Sequence, residues 1–71
     1  MFLRRIRDLR EDHDLKQIEI AQILNVTQST YSDYERGVLD ISLEALITLS
    51  NYYQVSVDYL LELTDEKTRN Q

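Results

Sequence analysis

The sequence predicts an all-α protein, a compact bundle of five helices, and three observations lead there. No proline occurs in the 71 residues and the single glycine is Gly37, so helix breakers are almost absent. Apolar residues recur at three- and four-residue intervals, and no segment alternates apolar with polar as a half-buried strand does. Capping residues such as Thr27, Ser42 and Ser56 stand directly ahead of these periodic stretches.

The first helix is expected over about Phe2–Asp12, with Phe2, Ile6, Leu9 and His13 on one side. Arg4 with Asp8 and Arg7 with Glu11 form i,i+4 pairs on the other. The second, about Gln17–Leu24, buries Ile20, Ala21 and Leu24. Its cap position holds Lys16, a poor choice that costs about 1 kcal/mol, although Glu19 sits where a capping-box acid belongs. Asn25 suits a left-handed C-terminal residue, Val26 plugs the core, and Thr27 caps the third helix. That helix runs from Gln28 to about Glu35 with Tyr31 and Tyr34 inward, and Gly37 stops it. The fourth follows Ser42 and presents Leu43, Leu46, Ile47, Ser50 and Tyr53 on one face. Val55 bridges to Ser56, the cap of a short fifth helix that carries Val57, Leu60 and Leu61. Asp58 lies in its first turn, where the helix dipole favours an acid.

Length allows one domain, expected over residues 1–64, with a short polar tail at 65–71. With no cysteine there is neither a disulfide framework nor a zinc knuckle to staple so small a fold, and His13 alone makes a poor metal site. Helix packing has to hold the chain together, helped by dimerisation. No apolar run reaches the length of a membrane span and no secretory leader opens the chain, so a cytoplasmic protein with no membrane partner is expected. An enzyme is not expected: there is no phosphate-cradling glycine loop, no nucleophile set beyond chance, and little room for a pocket. No cofactor or metal is anticipated.

The stretch from Gln17 to Glu35 is the informative one. Two short helices joined by Asn25-Val26-Thr27 must cross steeply, which leaves the second of them prominent. Its outward side reads Ser29, Ser32, Asp33 and Arg36, flanked by Gln28 and Thr30. Short polar side chains of this kind suit base edges in a major groove, where glutamine pairs bidentately with adenine. They suit an ordinary solvated helix face equally well, and side-chain chemistry alone leaves both open. The net charge of −5 weighs against nucleic acid, since DNA binders normally carry a basic field. Charge is uneven, however: Arg4, Arg5, Arg7 and Arg10 make the opening basic before Glu11, Asp12 and Asp14 follow.

Several segments carry a family likeness. Ile6-x-x-Leu9-Arg10 with Leu15-Lys16-Gln17-x-Glu19-Ile20-Ala21 resembles the opening of lambda-repressor-like (XRE/Cro-type) helix-turn-helix DNA-binding domains. Val26 through Gly37 resembles their turn and recognition helix. Leu43-Glu44-x-Leu46 and Tyr53-Gln54-Val55-Ser56-Val57-Asp58-Tyr59-Leu60-Leu61 are similar to their last two helices. The likeness covers about Arg4 to Leu63 without a gap. It implies a sequence-specific transcriptional regulator, a repressor of bacterial or phage type, whose third helix enters the major groove of operator DNA. Such proteins commonly act as homodimers on imperfect palindromes. It further implies that Gln17 contacts a phosphate at the second helix terminus, that Gln28, Ser29 and Asp33 face base edges, and that Thr30 and Ser32 approach the backbone or neighbouring bases. Arg36 reaches a phosphate. Arg10 and Glu35 match a partly buried ion pair linking the first and third helices.

Departures from the pattern mark where the chain differs. Asp33 stands where relatives often carry a cation, and it either accepts from a cytosine amino group or holds Arg36 at i+3. Asp40 removes an expected phosphate contact. Ile18 is an apolar residue at an exposed position, either a lone one or a partner contact. Tyr52 and Tyr59 point away from the stripes, toward a dimer contact or partial burial. The rival to DNA binding is a protein-interaction module of the same fold, such as an antitoxin or regulatory partner, motivated by the net charge, Asp33 and Asp40.

Overall fold

The computed structural model describes residues 1–67, and these form five helices and no strand. They are α1 (Arg4–Asp12), α2 (Gln17–Leu24), α3 (Gln28–Arg36), α4 (Leu43–Tyr53) and α5 (Val57–Leu60). Thr27, Ser42 and Ser56 cap α3, α4 and α5, each accepting from the backbone N–H three residues on. At α2 the reciprocal half of the capping box does the work: Lys16 N–H donates to Glu19 Oε1 at 2.9 Å, while the lysine side chain caps nothing. Asn25 closes α2 in the left-handed region at φ 59°.

Leu3, Ile6 and Leu9 of the N-terminal segment and α1 pack with Ile20 and Ala21 of α2, Tyr31 of α3, Leu46, Leu49 and Tyr53 of α4, then Val55 and Leu60. In a chain this short each of these residues takes up a large share of the core, so every helix has to contribute to it. α2 and α3 pack most closely. Val26 N–H bonds back to Ala21 O, which fixes the tight turn between them.

Several expectations are corrected. Phe2 is outside the helix and 61% exposed; Leu3 takes the core position instead. The reason lies across the bundle, where Gly37 closes α3 at φ 75° and lets the Phe2 backbone approach. Leu43 (68% exposed) and Ile47 also face outward. The buried side of α4 is Ala45, Leu46, Leu49, Ser50 and Tyr53, a stripe rotated toward the small Ala45. Leu24, Tyr34, Val57 and Leu61 are half-buried at the margin of the core, not within it. Arg4 pairs with Glu62 rather than Asp8, whereas Arg7 and Glu11 do meet. His13 is exposed, with Nδ1 2.8 Å from Leu9 O and its ring tilted on Tyr53.

The start of the expected tail is tied down. Arg5 donates to the carbonyls of Tyr59 and Thr64 and to Asp65, and its guanidinium lies 4.1 Å from the Tyr59 ring centre. Ser56 N–H reaches Lys67 O. Tyr59 is thus half-buried. Residues 68–71 of the expected tail lie outside the described residues.

A Cβ added at Gly37 would stand 3.0 Å from Phe2 Cβ and 3.1 Å from its Cα, on top of the penalty for a left-handed φ. Gly37→Ala should therefore lower stability by about 1–2 kcal/mol, read as a reduced urea midpoint with an unchanged slope.

Candidate nucleic-acid interface

α3 is amphipathic in a particular sense: it is anchored by two residues one turn apart. Tyr31 fills the core and Glu35 is buried, 4% exposed. Lone buried carboxylates are costly, so Glu35 requires partners. Arg10 of α1 supplies a two-pronged pair, Nε to Oε2 at 2.6 Å and Nη2 to Oε1 at 3.1 Å. Gln17, the first residue of α2, donates Nε2–H to Oε1 at 3.1 Å. Arg10 Nη1 also donates to Leu15 O at 2.8 Å, holding the connection between α1 and α2. One carboxylate thereby ties together the three helices that place the interface.

Burial pushes the Glu35 carboxyl up, but the hydrogen bonds from Arg10 and Gln17, the Arg10 charge and the adjacent Tyr31 hydroxyl outweigh it and hold it below its ordinary value. Tyr31 lies near this carboxylate without reaching hydrogen-bond geometry. Burial raises both Tyr31 and Tyr53, so both rings stay neutral.

With Tyr31 and Glu35 inward, the opposite flank of α3 faces solvent in an unbroken helix. Gln28, Ser29 and Arg36 are exposed, while Ser32 and Asp33 are half-buried. Gln17, Gln28, Ser29, Ser32, Asp33 and Arg36 line one shallow open depression. Thr30 is the exception among the expected residues: its hydroxyl meets Thr27 Oγ1 at 3.0 Å, within the helix cap. Asp33 pairs with Arg36, the second of the two roles open to it from sequence. That pair makes the centre of the face neutral overall. Asp40 meets the Met1 amino group. The tie between Gln17 and Glu35, at a sequence separation of eighteen, was not anticipated, since nothing local signals it.

No helix among the described residues is long and apolar enough to cross a membrane. Nor does any group of three or more His, Asp or Glu among them come together as a metal site would require.

Glu35→Ala or Arg10→Ala should cost about 3–5 kcal/mol by stranding the remaining charge. Because the folded carboxyl titrates below its ordinary 4.5, its contribution is complete above that pH and fades as pH falls through the depressed folded value. Glu35→Gln should accordingly show a flatter acid limb in stability against pH than the parent.

Known proteins share this fold. A helix-turn-helix family model matches residues 6–60. The HTH-type transcriptional regulator YobD of Bacillus subtilis is 38% identical over 66 residues, covering 93% of this chain and 59% of its own length. The cryptic phage CTXphi transcriptional repressor RstR of Vibrio cholerae is 39% identical over 61 residues, covering 86% and 55%. This chain thus spans little more than half the length of these curated relatives. Among solved structures, the P22 c2 repressor in complex with a synthetic operator superposes with a TM-score of 0.75 at 30% identity, covering 84% of this chain and 92% of that one. On the matched span and the likeness to these repressors, the chain belongs to the helix-turn-helix family, in its lambda-repressor-like branch.

Proposed function

We propose that this chain is the DNA-reading domain of a cytoplasmic transcriptional regulator, a repressor of bacterial or phage type, that inserts α3 into the major groove as a homodimer on an imperfect palindrome. One observation carries the reading. The outer flank of α3 faces solvent along an unbroken helix, and its polar side chains converge with the start of α2 on a single open depression. Gln28, Ser29 and Asp33 take the base edges. Thr30 and Ser32 lie at the backbone or neighbouring bases, and Gln17 and Arg36 take phosphates. The likeness to a repressor solved on operator DNA supports this placement.

The anchored Gln17 fits its part. Glu35 orients its amide from behind, so little side-chain freedom remains to be lost when the outer face meets a phosphate. The reading by a protein-interaction module of the same fold draws on the net charge of −5, on Asp33 and Asp40, and on a 34% likeness over 56 residues to the antitoxin PezA of Streptococcus pneumoniae, and the same experiment separates the two.

Selection from random duplexes at low salt should return sites with two related halves about 34 Å apart. The double variant Gln28→Ala, Ser29→Ala should bind the selected site about 10- to 100-fold more weakly, with little change on unrelated sequence. Failure to enrich any site, with regulation intact in the double variant, would remove the DNA reading. Few cations line the face, so log K against log salt should be shallow, about −2 to −4 per domain.

A further inference from the structure

The depression on α3 does not end at Arg36. It continues past Gln17, Ser32 and Arg36 into a second basin, open toward α1, whose remaining walls include Arg7, Arg10 and Glu35. Three arginines and one carboxylate, Glu35, therefore line it, in a chain whose overall charge is −5. The recognition face has a neutralised Asp33–Arg36 pair, and the depression between α2 and α4 has Glu44 as its one charged wall residue. Three guanidinium groups are thus gathered at this basin, each with an acid beside it.

Within the basin the three arginines differ. Arg10 is fully engaged: Nε and Nη2 hold Glu35 and Nη1 holds Leu15 O. Arg7 and Arg36 are not. Their side chains are 61% and 65% exposed, and each is matched only by an acid on its own helix, Glu11 and Asp33. The exposed Arg7–Glu11 pair is worth a few tenths of a kcal/mol and the partly exposed Arg36–Asp33 pair up to about 1 kcal/mol, so both guanidiniums can turn to a stronger anion at modest cost. Ser32 adds a hydroxyl donor between them.

We propose that this basin is a phosphate seat, in which Arg7 of α1 and Arg36 of α3 grip a phosphodiester of the strand bordering the major groove. This rests on the reading of α3 as the groove-entering helix. With Gln28, Ser29 and Asp33 on base edges, the end of the depression beyond Gln17 and Arg36 lies where the flanking strand passes. Arg7 is then a DNA-contacting residue outside the two helices of the motif. Its contribution is independent of sequence, because phosphate contacts fix register without reading bases.

The test measures affinity of the 71-residue chain for its selected duplex and for an unrelated duplex across a range of salt. Four proteins are compared: parent, Arg7→Gln, Arg7→Lys and Arg4→Gln. Arg4 is equally exposed on the same helix but faces Glu62, so it controls for net charge alone. Arg7→Gln should weaken both duplexes by the same factor, about three- to tenfold at low salt, and make the salt slope shallower by about one. Arg7→Lys should retain the slope, and Arg4→Gln should leave it near the parent value. Unchanged thermal melts check that all four are folded. If the parent binds and Arg7→Gln matches Arg4→Gln, or its loss is confined to the selected duplex, the seat is wrong and the α3 reading stands. If the parent binds neither duplex, both fall.

Discussion

The Glu35 carboxylate is the point on which the arrangement turns. A nine-residue helix has little stability of its own in water, so the direction of α3 is set by what it packs against. Tyr31 supplies apolar burial, which is strong but tolerant of small rotations. Glu35 supplies direction: its oxygens must meet Arg10 from α1 and Gln17 from α2 together, and only one rotation of α3 satisfies both. A buried ion pair is a weak source of net stability. Its value here is geometric, since it sets which side chains of α3 face outward.

Charge follows the same economy of placement. The chain is acidic overall, yet several of its acids are held by a nearby cation: Glu35 by Arg10, Asp33 by Arg36, Asp65 by Arg5, and Asp40 by the Met1 amino group. What an approaching phosphate meets is therefore set locally. Beside α3 the guanidiniums of Arg7, Arg10 and Arg36 are each matched by an acid, so the local balance is near neutral while the formal total is negative. Net charge informs on solubility and long-range encounter, and it is a poor guide to a face whose acids are already paired.

Features that depend on near neighbours were legible in the sequence. Thr27, Ser42 and Ser56 cap as expected because a cap needs only the three residues that follow. Asn25 adopts the left-handed turn its side chain favours. Asp14, whose short side chain also tolerates the left-handed region, takes positive φ as well, and so do Gln54 and Glu62 without any such preference. There the surrounding packing overrides local propensity, as it does for the rotation of α4 that exposes Leu43. Of the expected interface residues, Gln17, Gln28, Ser29, Ser32, Asp33 and Arg36 come to one depression because helical spacing places 28, 29, 32, 33 and 36 on one flank. Thr30 falls outside that flank and joins its cap. The tie from Gln17 to Glu35 and the basin around Arg7 are long-range consequences of the fold, and periodicity carries no trace of them.

The division of α3 into an inner pair and an outer row has an evolutionary corollary in physical terms. Tyr31 and Glu35 set the helix in place, and their partners lie on α1 and α2 or in the core. The outermost positions, Gln28, Ser29 and Arg36, share none of those core partners, so changes there are expected to add independently of the anchor. Base preference can then shift at these positions with little effect on folding. Ser32 and Asp33 are less free, because they are half-buried between the two sets. Asp33 in particular both lines the candidate face and restrains Arg36, so on the proposed reading replacing it would alter a base contact and release a guanidinium at once. Coupling between base reading and backbone grip should be greatest at that residue, where the two surfaces of the helix meet.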